Sequence, residues 1–505
     1  MKNVQDIYPL SPLQKGLLFH ALFDSRSGAY VERVSWSLRG ELDVEVFRSA
    51  WGNVVRSHPI LRTVFLTEGL DEPLQVVRQH VELPWEYLDW QASDAGEQSA
   101  RFEALLDEER RCGFRPNEAP LMRLKLVRLG PRHHRFLWSY HHLLLDGWSV
   151  ALVLREVSEG YEALRRGHAA PPTGSRPYRD YIAWLQRQDM RRAETYWRET
   201  LKGFTTPTQP GVGVPAPGET FAPEERYLKH YTDLPAETAG ALQALARQHQ
   251  LTLNPLVQGA WALLLSRYSG EDDVLFGSVV SGRPTDLPGA ETMVGLFINT
   301  LPLRVSTPPD MSVLGWLQQL QRRQVEMRQF EYSPLMEVQR WSDVRPGRPL
   351  FESIVVFRNL PVDEALRQQG GGVQIEELEH HDMATGHPLT MGIVPEKTLR
   401  LQLTYDRARY DGATIRRMLG HMTQLLEGMV ADPQQNLGSV QMLTPPERAE
   451  IEVWNSTARD YERRGLVHEL FERLAAERPH QAAVSDDTRS LTYGELDASA
   501  NRLAR

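Results

Sequence analysis

Two adjacent histidines, His141 and His142, lie in the stretch "SYHHLLLDGWS" at residues 139–149, and three leucines separate them from Asp146 and Gly147. Imidazoles titrate near neutral pH and can take a proton, give one or bind a metal. The pair is therefore open to three readings: metal ligands, a general base with its neighbour, or two core histidines that happen to adjoin. A metal site needs a third and usually a fourth ligand. His142 and Asp146 supply two, but a leucine run lies between them and no further cluster declares itself in the sequence. Two other His-His pairs occur, at 133–134 and 380–381. The first is expected in a hairpin turn and the second in an acidic loop, "EELEHHDMATG", both solvated. Adjacency alone therefore says little.

Geometry separates the two rings. If "RFLWSYHH" is a strand, alternation puts Phe136, Trp138, Tyr140 and His142 on one face and His141 on the other. His142 then stands where the strand ends and the turn begins. Gly147 is expected to take a backbone conformation closed to other residues. The helix from Ser149 brings its positive end to the same place. A histidine so placed suits general-base work or the steadying of a developing negative charge. Asp146 is a carboxylate in apolar surroundings, which is costly unless it is paired. Arg62, the lone cation inside the apolar "SHPILRTVF", has the mirror-image problem. The two are expected to form an ion pair that holds the turn aiming His142.

The elements that carry these residues follow from periodicity. "SPLQKGLLFHALF" has helical spacing, with Ser11 as N-cap and Pro12 at the first helical position. "YVERVSWSLRG" alternates like a strand. "DVEVFRSAWGNVVRSHPILRTVFL" predicts a helix, a break at Pro59 and a strand from Leu61. "LMRLKLVRLGPRHHRFLWSYHH" predicts a hairpin with "GPRHH" as its turn. The helix from Ser149 puts Val150, Leu154, Val157 and Tyr161 on one face. "GHAAPPTGSRP" at 167–177 marks the first boundary. "YRDYIAWLQRQDMRRAETYWRETLKGF" then reads as helical and "TTPTQPGVGVPAPGE" as a loop. A second α/β region spans about 226–444, with the helix "NPLVQGAWALLLSRYSG", the strands "DVLFGSVVSG" and "LRLQLTYDRARY", and the closing helix "GATIRRMLGHMTQLLEGMV". "LTPPERAEIEVWNSTARDYERR" reads as a linker, and the last 40 residues as helix, strand, turn and helix. The mixture predicts an α/β or α+β fold in two lobes.

Composition limits the function classes. The chain has 505 residues, 41% hydrophobic and 24% charged, which is ordinary globular usage and enough to bury a sizeable core. A net charge of −9 gives no footprint for bulk nucleic-acid binding. A single cysteine, Cys112, forms no internal disulfide and fits a reducing, cytoplasmic setting. No signal peptide and no transmembrane run are expected. The triplet "NST" at 455–457 matches a glycosylation sequon that this setting would not use.

"HHLLLDG" resembles the HHxxxDG signature of nonribosomal peptide synthetase condensation domains. "YPLSPLQKGLLFH" resembles that family's first motif and "SHPILRTVF", including Arg62, its second. "YRDYIAWL" looks like the fourth and "VGLFINTLPLRV" the fifth, while "YSPLMEVQRWS" and "GRPLFESIVVFRN" are similar to the last two. Order and spacing agree over about residues 5–445. "VWNSTARDY", "LVHELFERLAAERP" and "LTYGELDASANRLAR" look like a linker and the truncated start of an adenylation domain.

The resemblance implies two chloramphenicol-acetyltransferase-like lobes in a V-shaped pseudo-dimer. Residues 1–175 would be the N-terminal lobe, 176–445 the C-terminal lobe, 446–465 a linker and 466–505 the adenylation start. Upstream donor and downstream acceptor carrier proteins would each deliver a thioester on a 4'-phosphopantetheine arm, with no cofactor held permanently. By motif position His142 is catalytic, His141 supports it, Asp146 pairs with Arg62, and Gly147 lets the backbone approach the substrates. Heterocyclisation relatives carry aspartates in place of the histidines. Epimerisation relatives continue differently after the motif, and "DGWSV" suits condensation. "YPLSPLQKGLLFH" looks more like domains that take a D-configured donor than those that join two L-residues. The rival readings are an HxxxD acyltransferase using acyl-CoA, against which the adenylation-like tail argues, and a non-catalytic recruitment domain, which would have lost the motif.

Overall fold

Strand β1 (Val4–Pro9) leads into helix α1 (Pro12–Phe23). Ser11 and Gln14 close a reciprocal cap at its start: Gln14 N–H donates to Ser11 Oγ at 3.3 Å, and Ser11 N–H donates to Gln14 Oε1 at 2.9 Å. The computed structural model describes residues 3–23, 30–172, 174–211, 221, 226–358, 373–381, 385–395, 398–459, 465–486 and 488–505. These form two units, Met1–Leu443 and Thr444–Arg505.

In the first unit the chain continues through β2 (Val31–Gly40), α2 (Val44–Ser57), a 3-10 turn at Pro59–Arg62, β3 (Thr63–Leu66), β4 (Leu74–Arg78), β5 (Trp85–Asp89), α3 (Ala95–Cys112), β6 (Met122–Gly130), β7 (His133–His141) and α4 (Gly147–Arg165). It then runs through α5 (Arg179–Leu185), α6 (Met190–Leu201), β8 (Tyr227–Asp233), α7 (Ala236–Gln248), α8 (Leu253–Ser269), β9 (Asp273–Val280) and β10 (Asn299–Ser306). The remaining elements are α9 (Val313–Arg328), α10 (Leu335–Trp341), β11 (Ser353–Phe357), β12 (Val373–His381), β13 (Leu389–Pro395), β14 (Leu399–Asp406) and α11 (Gly412–Ala431).

Two large sheets organise this unit. The first has the order β12-β2-β7-β6-β5 and the second β10-β9-β11-β13-β14-β8, with a small sheet β1-β4-β3 beside them. Each large sheet has its own apolar core. Phe136, Trp138 and Tyr140 of β7 pack with Trp36, Trp51 and the buried face of α4, where Val150, Leu154, Val157 and Tyr161 lie as their spacing predicts. Trp197, Trp261 and Phe276 anchor the second core. The two halves are not simply successive. Strand β12 completes the first sheet by pairing with β2, and Leu287, Met293, Leu296 and Phe297 enter the first core.

Several local expectations differ from the structure. The turn of the β6–β7 hairpin tightens to residues 131–132, so His133 and His134 lie in β7 and His134 is buried. His380 and His381 belong to β12 rather than to an acidic loop. The single helix expected after Tyr178 is broken into α5 and α6. Asp189 breaks it by accepting the backbone N–H groups of Arg191 and Arg192 at 3.0 and 3.1 Å, a side-chain cap that competes with helix continuation. Residues 205–211 are irregular, and the rest of "TTPTQPGVGVPAPGE" lies outside the described residues.

In the second unit, the stretch expected to be a linker contains a helix, α12 (Pro445–Asn455), whose Thr444–Glu447 capping box sets its start. Helices α13 (Val467–Glu477) and α14 (Tyr493–Leu503) follow, with a hairpin of β15 (Ala482–Ser485) and β16 (Ser490–Thr492) between them. Phe471 of α13 meets Tyr493 of α14 at 5.9 Å between ring centroids.

Candidate active site

His141 and His142 diverge as strand alternation requires. His141 is the last residue of β7 and is buried. Its Nδ1 accepts the N–H of Leu143 at 3.0 Å. Burial, with the neighbouring His142, lowers its pKa to about 3, so it stays neutral at working pH. It is a turn-forming group, and Phe114 lies beside it at 6.5 Å between ring centroids.

His142 instead lines a cavity of about 1910 Å³ with Asp146, Gly147 and Trp148. Its main-chain N–H donates to Tyr30 O at 2.8 Å. Its Nδ1 lies 2.7 Å from the carbonyl oxygen of Leu145. A carbonyl can only accept, so Nδ1 carries the hydrogen. The neutral ring then presents the lone pair of Nε2, the form needed to accept a proton.

Asp146 caps α4: its Oδ1 accepts the N–H of Ser149 at 2.8 Å. Its Oδ2 accepts the N–H of Phe297 at 3.0 Å, and Arg283 Nη2 reaches Oδ1 at 3.2 Å. Ser149 adds a second stitch. Its Oγ donates to Gly295 O at 2.7 Å and accepts from Gly295 N–H at 3.0 Å and Arg283 Nη2 at 2.8 Å. The carboxylate is thus committed to protein donors, which leaves it poorly suited to join His142 on a metal.

The expected ion pair between Asp146 and Arg62 is not formed. Arg62 is buried elsewhere, in a cage of main-chain oxygens. It donates to Val55 O, Arg56 O and Gln79 O at 3.1, 3.2 and 3.2 Å, to Arg78 O, and to Gln5 Oε1 at 2.8 Å. Neutral carbonyls satisfy all its faces, so no carboxylate is required. The partner of Asp146 is Arg283, which carries no signal in the sequence because "SGRPTD" reads as an ordinary loop. Gly147 also differs from expectation. It is the first residue of α4 and does not take a positive φ.

The segment that receives Asp146 is the one spelled "VGLFINTLPLRV". A Cβ on Gly295 would lie 2.1 Å from the Tyr178 ring. That close approach brings the Tyr178 hydroxyl to Leu296 O at 2.5 Å. Nearby, Gly282 has φ +60°, and a Cβ there would collide with Phe297 O at 1.9 Å. These glycines let β9, α5 and the 290–297 segment close on the first turn of α4.

In fold the chain is similar to a holo four-domain nonribosomal peptide synthetase, with a TM-score of 0.75 and 18% identity over 99% of this chain and 39% of that one. It is also similar to the first condensation domain of the calcium-dependent antibiotic synthetase, with a TM-score of 0.71 and 20% identity over 88% and 100% of the two chains. These likenesses define a mixed α/β, chloramphenicol-acetyltransferase-like fold. In sequence it is 43% identical to one of the linear gramicidin synthase proteins of Brevibacillus parabrevis, over the whole chain and 6% of that protein. It is 35% identical to surfactin synthase subunit 2 of Bacillus subtilis (strain 168), over the whole chain and 14% of that protein. The chain belongs to the condensation domain family, whose model matches residues 4–452. Condensation domains of nonribosomal peptide synthetases are peptide-bond-forming enzymes. The chain spans only a small fraction of these relatives' length.

Proposed function

We propose that His142 handles the proton of an acceptor amine as it attacks a donor thioester. The observation that carries this reading is the Nδ1–Leu145 O hydrogen bond, which leaves Nε2 as the acceptor in a large cavity. The nitrogen forms a bond to the thioester carbonyl carbon, the C–S bond breaks, and the amine's proton passes through Nε2 to the departing thiolate. A thioester is already activated, and an α-amine has a pKa of about 8, so a mild base suffices. Orientation and exclusion of water supply the rest. In this reading His141 shapes the turn, Asp146 anchors it to Phe297, and Gly147 leaves room beside His142.

Both reactants arrive on 4'-phosphopantetheine arms of separate carrier proteins, and the donor residue is D-configured. Residues 1–175 and 176–445 are the two lobes, 446–465 a linker and 466–505 the start of an adenylation domain, working in the cytoplasm. Among the described residues no helix is long and apolar enough to cross a membrane. The test is to load donor and acceptor carrier proteins chemically and follow peptide on the acceptor by mass spectrometry. D-configured donors should transfer faster than L-configured ones. Efficient transfer from acyl-CoA in place of the donor carrier would favour the acyl-CoA acyltransferase reading instead. Absence of product with every loaded donor would favour a recruitment domain.

A further inference from the structure

Two glutamines lie behind the turn that carries His142. Gln14, in the first turn of α1, and Gln75, in β4, are both fully buried. Their hydrogen bonds fix how each amide points. Gln14 Oε1 accepts the N–H of Ser11 at 2.9 Å and Nε2–H of Gln75 at 3.1 Å, so the Gln14 nitrogen faces the other way. There Nε2 donates to the carbonyl oxygen of Leu143 at 3.0 Å. Gln75 Nε2 also donates to Pro9 O at 2.9 Å. The peptide between Leu143 and Leu144 is therefore held at both edges. Gln14 holds its C=O, and its N–H donates to His141 O at 3.0 Å. Leu143, Leu144 and Leu145 are fully buried, so bulk water cannot stand in for the amide. Two peptides further on, Leu145 O accepts Nδ1–H of His142 at 2.7 Å. Gln14 thus bears on the stretch that sets the tautomer and aim of the ring, and its own side chain does not line the cavity.

We infer that Gln14 is a positioning residue for His142. Its side-chain amide holds the Leu143 carbonyl, and through the 143–145 turn it keeps Leu145 O where that oxygen binds His142 Nδ1–H. The inference rests on the reading of His142 as the reacting imidazole. Without the amide a buried carbonyl has no donor, and the 143–144 peptide relieves that cost by turning about its long axis. The turn shifts Leu145 O against the ring whose proton position it sets. A ring that loses this bond populates the form protonated at Nε2, which has no lone pair there for the amine's proton. The loss therefore falls on turnover. Gln75 is the internal control. It is as deeply buried and belongs to the same network, but its amide bonds Gln14 and Pro9 rather than the turn.

The test compares Gln14→Met, Gln14→Asn and Gln75→Met with wild type, using loaded carrier proteins and thermal unfolding. Gln14→Met removes the donor at similar length. Gln14→Asn keeps an amide beside Ser11 but retracts it from Leu143 O. Nitrogen-15 NMR of histidine-labelled protein reads the His142 tautomer, its signals being those missing from His142→Ala. Both Gln14 variants should lose kcat by about tenfold or more, with KM within about threefold of wild type. Their His142 signals should move from the Nδ1-protonated toward the Nε2-protonated form. Gln75→Met should melt lower, yet keep kcat within about threefold of wild type and the wild-type tautomer. Wild-type kcat in a folded Gln14 variant overturns the inference. So does an unchanged His142 tautomer, a loss confined to KM, or an equal kcat loss in Gln75→Met. Failure of both Gln14 variants to fold would make Gln14 a stability residue alone and overturns it too. The His142 reading fails separately, if His142→Ala turns over as fast as wild type, whatever tautomer the Gln14 variants show.

Discussion

Arg283 Nη2 stands 3.2 Å from Asp146 Oδ1, with the side chains 9% and 1% exposed. The same guanidinium donates through Nη1 to Ala290 O at 2.5 Å and Met293 O at 2.9 Å, and its Cζ lies 4.0 Å from the Phe297 ring centroid. One cation thus ties the loop after β9 and the 290–297 segment to the turn that carries His142.

Removing that cation strands a buried carboxylate. Arg283→Ala should lower the unfolding free energy by about 3–5 kcal/mol in urea titrations. Arg283→Lys should recover little, because a point charge does not reproduce a planar fork that serves Asp146, Ser149 and two carbonyls. A loss below about 1 kcal/mol for Arg283→Ala would contradict the pairing.

Arg62 should behave differently. Arg62→Ala leaves buried main-chain oxygens without their donor, at about 1–3 kcal/mol for each one left unsatisfied, so the melting temperature falls. Turnover per folded molecule should stay within about threefold of wild type, since Arg62 does not touch Asp146. A large loss of turnover with unchanged melting would contradict the carbonyl cage.

Gly295→Ala places a methyl group 2.1 Å from the Tyr178 ring. Overpacking of this kind costs about 1–3 kcal/mol or more. Tyr178→Leu in the same chain should relieve part of the Gly295→Ala penalty, and a double-mutant cycle measures the relief. Strict additivity would show that the two positions do not meet.

His141 makes stability depend on pH. Its folded pKa is about 3, below the ordinary value of 6.5. As pH falls the unfolded chain therefore takes the proton first, and stability is lost from about pH 6.5 downward until about pH 3. Above pH 6.5 this contribution is complete. Urea unfolding at pH 7, 6 and 5 should show the decline, and His141→Asn should make it shallower, with the remaining slope coming from other histidines such as His387, whose pKa burial lowers to about 4. An equal slope in both proteins would place the acid sensitivity elsewhere.

The element pattern was legible because it is local. The period of "RFLWSYHH" separates His142 from His141, and that separation holds although His142 lies just past the strand's last residue. The partner of Asp146 was not legible. Arg62 stands out as a lone cation in an apolar stretch, whereas Arg283 sits in the ordinary loop "SGRPTD", and finding it requires knowing how the 290–297 segment folds back on α4. Gly147 misled for a related reason: a glycine after a turn suggests positive φ, but here the Asp146 cap starts the helix at once.

In the proposed reaction His142 Nε2 handles the proton of the attacking amine. Single-turnover transfer between preloaded carrier proteins, comparing wild type with His142→Ala, tests it most directly. The variant should be slower by about 10²-fold or more, with melting close to wild type. Product formed by His142→Ala at the wild-type rate would contradict it.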